Sequence, residues 1–170
     1  IVGRGVDWFR TFGTEKSPGF KVFAVSGHVN RPGIYEAPLG ITMRELLDYA
    51  GGMIDGREVK FWLPGGSSVP MLTAEHLDVP MTYEAMAEAG TMLGTGTPMI
   101  FNDTVSVVKA VTRWLEFYKH ESCGKCTPCR EGTYFITGTL ERFEHGHGTD
   151  REMETLVDLC NQISGRSFCA

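Results

Sequence analysis

The sequence predicts an α+β protein: a small strand-and-helix unit over about 20–103, then a helical unit over about 104–170. Three observations carry this. Apolar residues alternate with period two in short stretches before residue 103 and recur at helical spacing after residue 104. Two capping boxes, Thr42 with Glu45 and Thr149 with Glu152, each open an amphipathic run. Glycines then close those runs, at Gly51-Gly52 and at Gly165.

Taken in order, residues 1–19 read as the end of something upstream plus a linker. "IVGRGVDWFRTF" looks like the tail of a helix begun earlier, and "GTEKSPG" (13–19) is a cluster of breakers. In "KVFAVSG" (21–27) Val22, Ala24 and Ser26 alternate with Phe23 and Val25, a strand; "RPGIYE" (31–36) turns into a second. "TMRELLDYAGG" (42–52) is a helix with Met43, Leu46, Leu47 and Ala50 on one face. "VKFWLP" (59–64) and "TPMIFND" (97–103) are further strands. From Thr104 to about His120, Val107, Val111, Trp114 and Tyr118 recur on one helical face, beside Val108 and Leu115. A second helix is expected just after the cysteine loop, through "YFITGTLERF", and a third through "TDREMETLVDLCNQISG".

The chain has 170 residues, 42 % of them hydrophobic, and a net charge of -5, which gives no reason to expect nucleic-acid or anionic-membrane binding. No run of about 18 apolar residues exists, so nothing spans a bilayer. There is no initiator Met and the chain stops one residue after a cysteine, which reads as a stretch of a longer protein. Two glycine pairs fall short of a dinucleotide fingerprint: "GRGVDW" has Trp8, and "GTGTPM" has Met99, where glycine is needed. "LPGGSS" (63–68) reads as a turn between strands, and "HGHG" (145–148) as a solvated connection between helices. His28 and His120 are lone histidines with structural roles as the default.

The chemistry sits in "ESCGKCTPCREGT" (121–133). Five cysteines is an odd number, and three of them, Cys123, Cys126 and Cys129, fall in seven residues. That is a poor disulfide framework and a good metal pattern, expected in a reducing compartment. The C-x2-C-x2-C step lets each thiolate reach a different iron of a [4Fe–4S] cluster, with the fourth ligand from elsewhere. Zinc sites favour separated C-x2-C pairs or added histidines. Two cysteines are available as the fourth ligand. Cys160 shares an apolar helical stripe with Met153, Leu156, Val157 and Ile163, and is expected in the core. Cys169 lies past the Gly165 stop, where a loop can turn back, and is the favoured ligand. Ser122, Gly124, Lys125, Thr127 and Arg130 lie in or beside the loop, where hydroxyls, N–H groups and cations would tune a cluster; plain turn chemistry explains them equally well.

Four stretches in order, "AVSGHVNRPGIYEAPLG", "PGGSS", "HESCGKCTPCREGT" and "GRSFCA", resemble the family of NADH-binding flavoprotein subunits of respiratory complex I, the NADH:quinone oxidoreductase. The resemblance runs over essentially the whole chain. It implies a ubiquitin-like β-grasp domain of the soluble-ligand-binding type, then a helical [4Fe–4S] domain. By position, Cys123, Cys126, Cys129 and Cys169 match the family's four cluster ligands. Family members pass a hydride from NADH to FMN and then single electrons to the cluster. The FMN and NADH motifs lie upstream in the family and are absent here, so this stretch by itself is expected to be inactive towards NADH. The implied partners are other hydrophilic-arm subunits, the small [2Fe–2S] subunit and the large iron–sulfur subunit. The implied location is peripheral, on the cytoplasmic or matrix side of the membrane. Diaphorase subunits of NAD-linked hydrogenases and formate dehydrogenases look similar. A β-grasp binding module with structural zinc is the alternative from another class.

Overall fold

A computed structural model describes residues 1–169 and divides into two compact units, 1–104 and 105–170. The first opens with a short helix α1 (Gly5–Phe9), then β1 (Phe20–Gly27), β2 (Gly33–Pro38), α2 (Met43–Tyr49), β3 (Val59–Leu63), β4 (Leu72–Thr73), α3 (Tyr83–Glu88) and β5 (Met99–Asn102). The strands form one mixed sheet in the order β2-β1-β5-β3-β4. β1 pairs antiparallel with β2, from Phe20 opposite Pro38 to Val25 opposite Gly33, and parallel with β5. This is the arrangement of a β-grasp.

The alternation in β1 sorts its two faces. Phe23 and Val25 are buried, whereas Val22 is more than half exposed. The inward side chains meet Met43, Leu46 and Leu47 of α2, together with Trp62, Met81, Met86 and Ile100, in one apolar core. Trp62 is fully buried and its Nε1–H donates to the Thr73 carbonyl at 3.1 Å, so the indole brings no unpaired donor into the core. Gly27 has a φ of +96°, and a Cβ there would collide with the Ile100 carbonyl; only glycine lets β1 and β5 close up at that point. The Thr42–Glu45 capping box is present in full, and "PGGSS" is a turn between β3 and β4.

Residues 13–19 differ from the open linker expected there. Gly13 bridges Pro18, and Ser17 is buried. Thr14 and Ser17 donate from their hydroxyls to the Glu84 carboxylate at 2.6 and 2.5 Å, and the Phe12 ring packs on Phe20. A breaker cluster fixes a turn; distant partners decide whether that turn is free or docked.

The second unit is three helices: α4 (Val107–Glu121), α5 (Thr127–Glu144) and α6 (Asp150–Ile163). α5 packs against both others. Its inner seam is Gly132, Thr133, Ile136 and Thr137, all buried. A Cβ on Gly132 would stand 2.6 Å from Ile163 Cδ1, so the missing side chain sets how closely α6 approaches. The buried threonines donate to the carbonyl one turn back, Thr137 to Thr133 at 2.6 Å and Thr112 to Val108 at 2.8 Å. Ser106, the N-cap of α4, donates to Glu144 at the far end of α5, and Arg142 of α5 meets Glu152 of α6 at 2.9 Å. Among the described residues no helix is long and apolar enough to cross a membrane.

Candidate metal centre

The candidate centre lies at the corner between α4 and α5. α4 stops at Glu121, Gly124 takes a φ of +76°, and Cys126 is the extended N-cap of α5. The sequence pattern places the start of the second helix after the cysteines. It starts among them, at Thr127, because Cys126 supplies the extended cap and Pro128 suits the first turn, where no N–H has an intrahelical acceptor. Cys129 therefore stands in the first turn of an 18-residue helix, at the end whose partial positive charge favours anions.

Around this corner the sulfurs already have hydrogen-bond company. Ser122 Oγ lies 3.4 Å from Cys129 Sγ and accepts from the Gly124 N–H at 3.3 Å. Arg130 donates to the Gly124 carbonyl at 2.6 Å and pairs with Glu131 at 2.7 Å, so it braces the loop with much of its charge locally offset. Lys125 Nζ sits 4.9 Å from the centre of the Phe168 ring. Thr127 is exposed and takes no part in these bonds.

The tail after α6 returns to the same corner. Phe168 donates its backbone N–H to Cys126 Sγ at 3.5 Å, and Cys169 is the next residue in the chain. Sequence reasoning singles out neither Phe168 nor Ser167; a backbone-to-sulfur contact across 42 positions leaves no mark in residue type. Cys123 and Cys169 are exposed, Cys126 and Cys129 half-buried.

Cys160 corrects the expectation of a core thiol: it is exposed. Met153 and Val157, from the same stripe, are 50 % and 56 % exposed. The apolar surface of α6 is wider than the face that packs. Leu156 is buried, with Leu159 and Ile163 half-buried on one side of it, while on the other side Cys160 sits about 40° and Val157 about 100° round the helix from Leu156. The case for Cys169 over Cys160 thus passes from helical periodicity to the contact made by Phe168.

The donor set fits an iron–sulfur cluster. All four candidates are thiols, two lie at a helix N-terminus, and the buried Ser167 hydroxyl next to Phe168 has no hydrogen-bond partner among the described residues. Among those residues no three His, Cys, Asp or Glu side chains converge as a single-ion site requires. Elsewhere, a hollow of about 510 Å³ in the first unit is lined by Phe12, Leu39, Ile41 and Tyr49, among others; the Glu45 carboxylate on its wall is already engaged with Thr42.

Comparison with known proteins agrees with this picture region by region. Residues 109–170 match the NADH-ubiquinone oxidoreductase-F iron-sulfur binding region, and residues 22–72 match the SLBB domain. The whole chain aligns with the NADH-quinone oxidoreductase F subunits of Mycobacterium tuberculosis at 61 % identity, of Streptomyces coelicolor at 58 % and of Escherichia coli at 42 %. It spans 38–39 % of the length of these relatives. The crystal structure of an NAD+-reducing [NiFe]-hydrogenase in the H2-reduced state matches 99 % of this chain and 28 % of that one, with a TM-score of 0.86 at 34 % identity. From end to end, then, the chain belongs to the family of NADH-quinone oxidoreductase F subunits, carrying an SLBB domain followed by that family's iron–sulfur binding region.

Proposed function

We propose that Cys123, Cys126, Cys129 and Cys169 hold a [4Fe–4S] cluster, and that the parent protein uses it to receive electrons from FMN reduced by NADH in an upstream domain. The observation that carries this is the return of the tail onto the cysteine corner, where the Phe168 N–H meets Cys126 Sγ. A cluster of this type supplies one-electron acceptance and no hydride chemistry. The chain's own residues do the rest. Cys126 and Cys129 present thiolates at the positive end of α5. Ser122 and the Phe168 N–H give hydrogen bonds to sulfur, which offset its charge. Arg130 fixes the loop through the Gly124 carbonyl, and Lys125 adds a cation held over Phe168. No side chain need act as nucleophile or base.

In this reading the parent is a peripheral subunit of a membrane-associated NADH:quinone oxidoreductase, on its cytoplasmic or matrix side. It hands electrons to the small [2Fe–2S] subunit or the large iron–sulfur subunit of the hydrophilic arm. The diaphorase subunit of an NAD-linked hydrogenase is the second reading, favoured by the fold match to the NAD+-reducing hydrogenase; the identities of up to 61 % to the F subunits favour the first.

The test is to mix the anaerobic, cluster-loaded chain with NADH, with and without free FMN, and follow the broad visible absorbance of the cluster. Bleaching by a chemical reductant but not by NADH is expected. Rapid, saturable bleaching by NADH alone would reveal a nicotinamide site in this stretch and overturn the division of labour. A colourless, iron-free chain after anaerobic purification would overturn the cluster itself.

A further inference from the structure

Ser167 carries a hydroxyl that the second unit buries without using. Its Oγ is shielded from solvent and has no hydrogen-bond partner among the described residues. Buried polar groups are paired almost without exception, so an orphan of this kind needs an explanation. Ser122, the other serine at this corner, has none to explain: its hydroxyl already meets Cys129 Sγ and the Gly124 N–H.

The position of Ser167 supplies one. α6 ends at Ile163, and the chain turns through Arg166, whose N–H reaches the Ile163 carbonyl at 3.1 Å. The next amide but one, that of Phe168, donates to Cys126 Sγ at 3.5 Å, and Cys169 follows. The Ser167 Oγ is four covalent bonds from that amide nitrogen, so it lies within about 8 Å of Cys126 Sγ. A serine hydroxyl can rotate to suit its acceptor, and the acceptor this corner is built to receive is anionic sulfur.

We propose that Ser167 donates its hydroxyl proton in a hydrogen bond to a sulfur of the cluster held by Cys123, Cys126, Cys129 and Cys169, and so sets its reduction potential. The inference rests on the ligand assignment proposed above. The bond favours the more negative, reduced state; one electron enters on reduction, and the proton stays on Oγ. Ser167 is a tuning residue and takes no part in bond making.

The experiment uses the full-length protein with Ser167→Ala, Ser167→Thr and Ser167→Val. The last two share a shape and differ in the hydroxyl. Iron and sulfide per chain are measured first, then the midpoint by redox titration monitored by electron paramagnetic resonance. Ser167→Ala and Ser167→Val are expected to keep wild-type iron. At a fixed potential their ratio of reduced to oxidised cluster is expected to fall three- to ten-fold, ten-fold being about 59 mV for a one-electron couple. Ser167→Thr is expected to restore the wild-type midpoint. An unchanged midpoint in Ser167→Ala with full iron overturns the proposal, as does an equal shift in all three. Should Ser167→Ala fail to load, the Thr–Val pair decides: hydroxyl-dependent loading or midpoint supports the proposal, and equal values overturn it. Wild-type protein without iron would overturn the ligand assignment instead, and this is read before any variant is compared.

Discussion

The two units differ in what holds each of them together internally. Among the described residues, all but two of the buried hydrophobics, Ile136 and Leu156, lie in the first unit, where Trp62, Phe23, Met43 and Met86 belong to one apolar core. The second unit buries small and polar groups along its seam instead: Gly132, Thr112, Thr133 and Thr137. Its threonines satisfy their hydroxyls inside their own helices, so they fill space without tying one helix to another. Among the described residues the polar links between helices include Ser106 to Glu144, Arg142 to Glu152 and Lys119 over the Tyr134 ring, each on the surface and worth little in water. A unit that buries this little apolar surface relies on something else for its cohesion. The cysteine corner joins the start of α5 to the tail of α6, where a metal centre would act as a cross-link whose binding energy is folding energy.

The largest expected effect follows from that contrast. Chelating iron under reducing conditions should unfold the second unit and leave the first intact. Circular dichroism should show loss of helix while the near-ultraviolet signal of buried Trp62 persists. Equal loss of both signals would mean that the units are not independent in stability. In the same experiment Cys169→Ser should deplete iron per chain and Cys160→Ser should not. Because Cys160 is exposed, its replacement should change stability by no more than about 0.5 kcal/mol.

The first unit should be sensitive where the second is tolerant. Trp62→Ala removes a fully buried indole and its bond to Thr73, at a cost of about 3–5 kcal/mol by denaturant unfolding. Val157→Ala, on the exposed side of α6, should stay within about 0.5 kcal/mol. A cost for Val157→Ala approaching that of Trp62→Ala would show that this face of α6 is covered in the folded protein. The seam of the second unit should be intolerant of added bulk: Gly132→Val pushes against Ile163 and should cost about 1–3 kcal/mol despite relieving a helical glycine. Neutral behaviour would mean that α6 can slide away.

The smallest effect is expected at low pH. Glu84 accepts from Ser17 first and Thr14 second, and these bonds hold its carboxyl down to about 2, against an ordinary 4.5. A depressed carboxyl stabilises the folded state fully above pH 4.5, and that contribution is lost as pH falls towards about 2. Glu84→Gln should therefore flatten the pH dependence of stability across that window. An unchanged acid limb would place the linkage elsewhere.

Local rules carried much of this protein into view from the sequence. Thr42–Glu45 and Thr149–Glu152 marked helix starts because a capping box is satisfied within four residues. The alternation around Phe23 and Val25 marked an inward face because strand geometry permits only two. The cysteine spacing pointed to a cluster because three thiols three residues apart can serve one object. Tertiary structure decided what depends on partners far away in the chain. The breakers at 13–19 became a docked turn because Glu84, some seventy residues on, accepts from Thr14 and Ser17. Cys160 lay on an apolar stripe wider than the face α5 could cover, and which edge was covered followed from the close approach at Gly132. The tail reached the cysteine corner through a backbone N–H, a group every non-proline residue carries, so only the fold could say that Phe168 meets a sulfur and that the Ser167 hydroxyl is buried without a partner among the described residues.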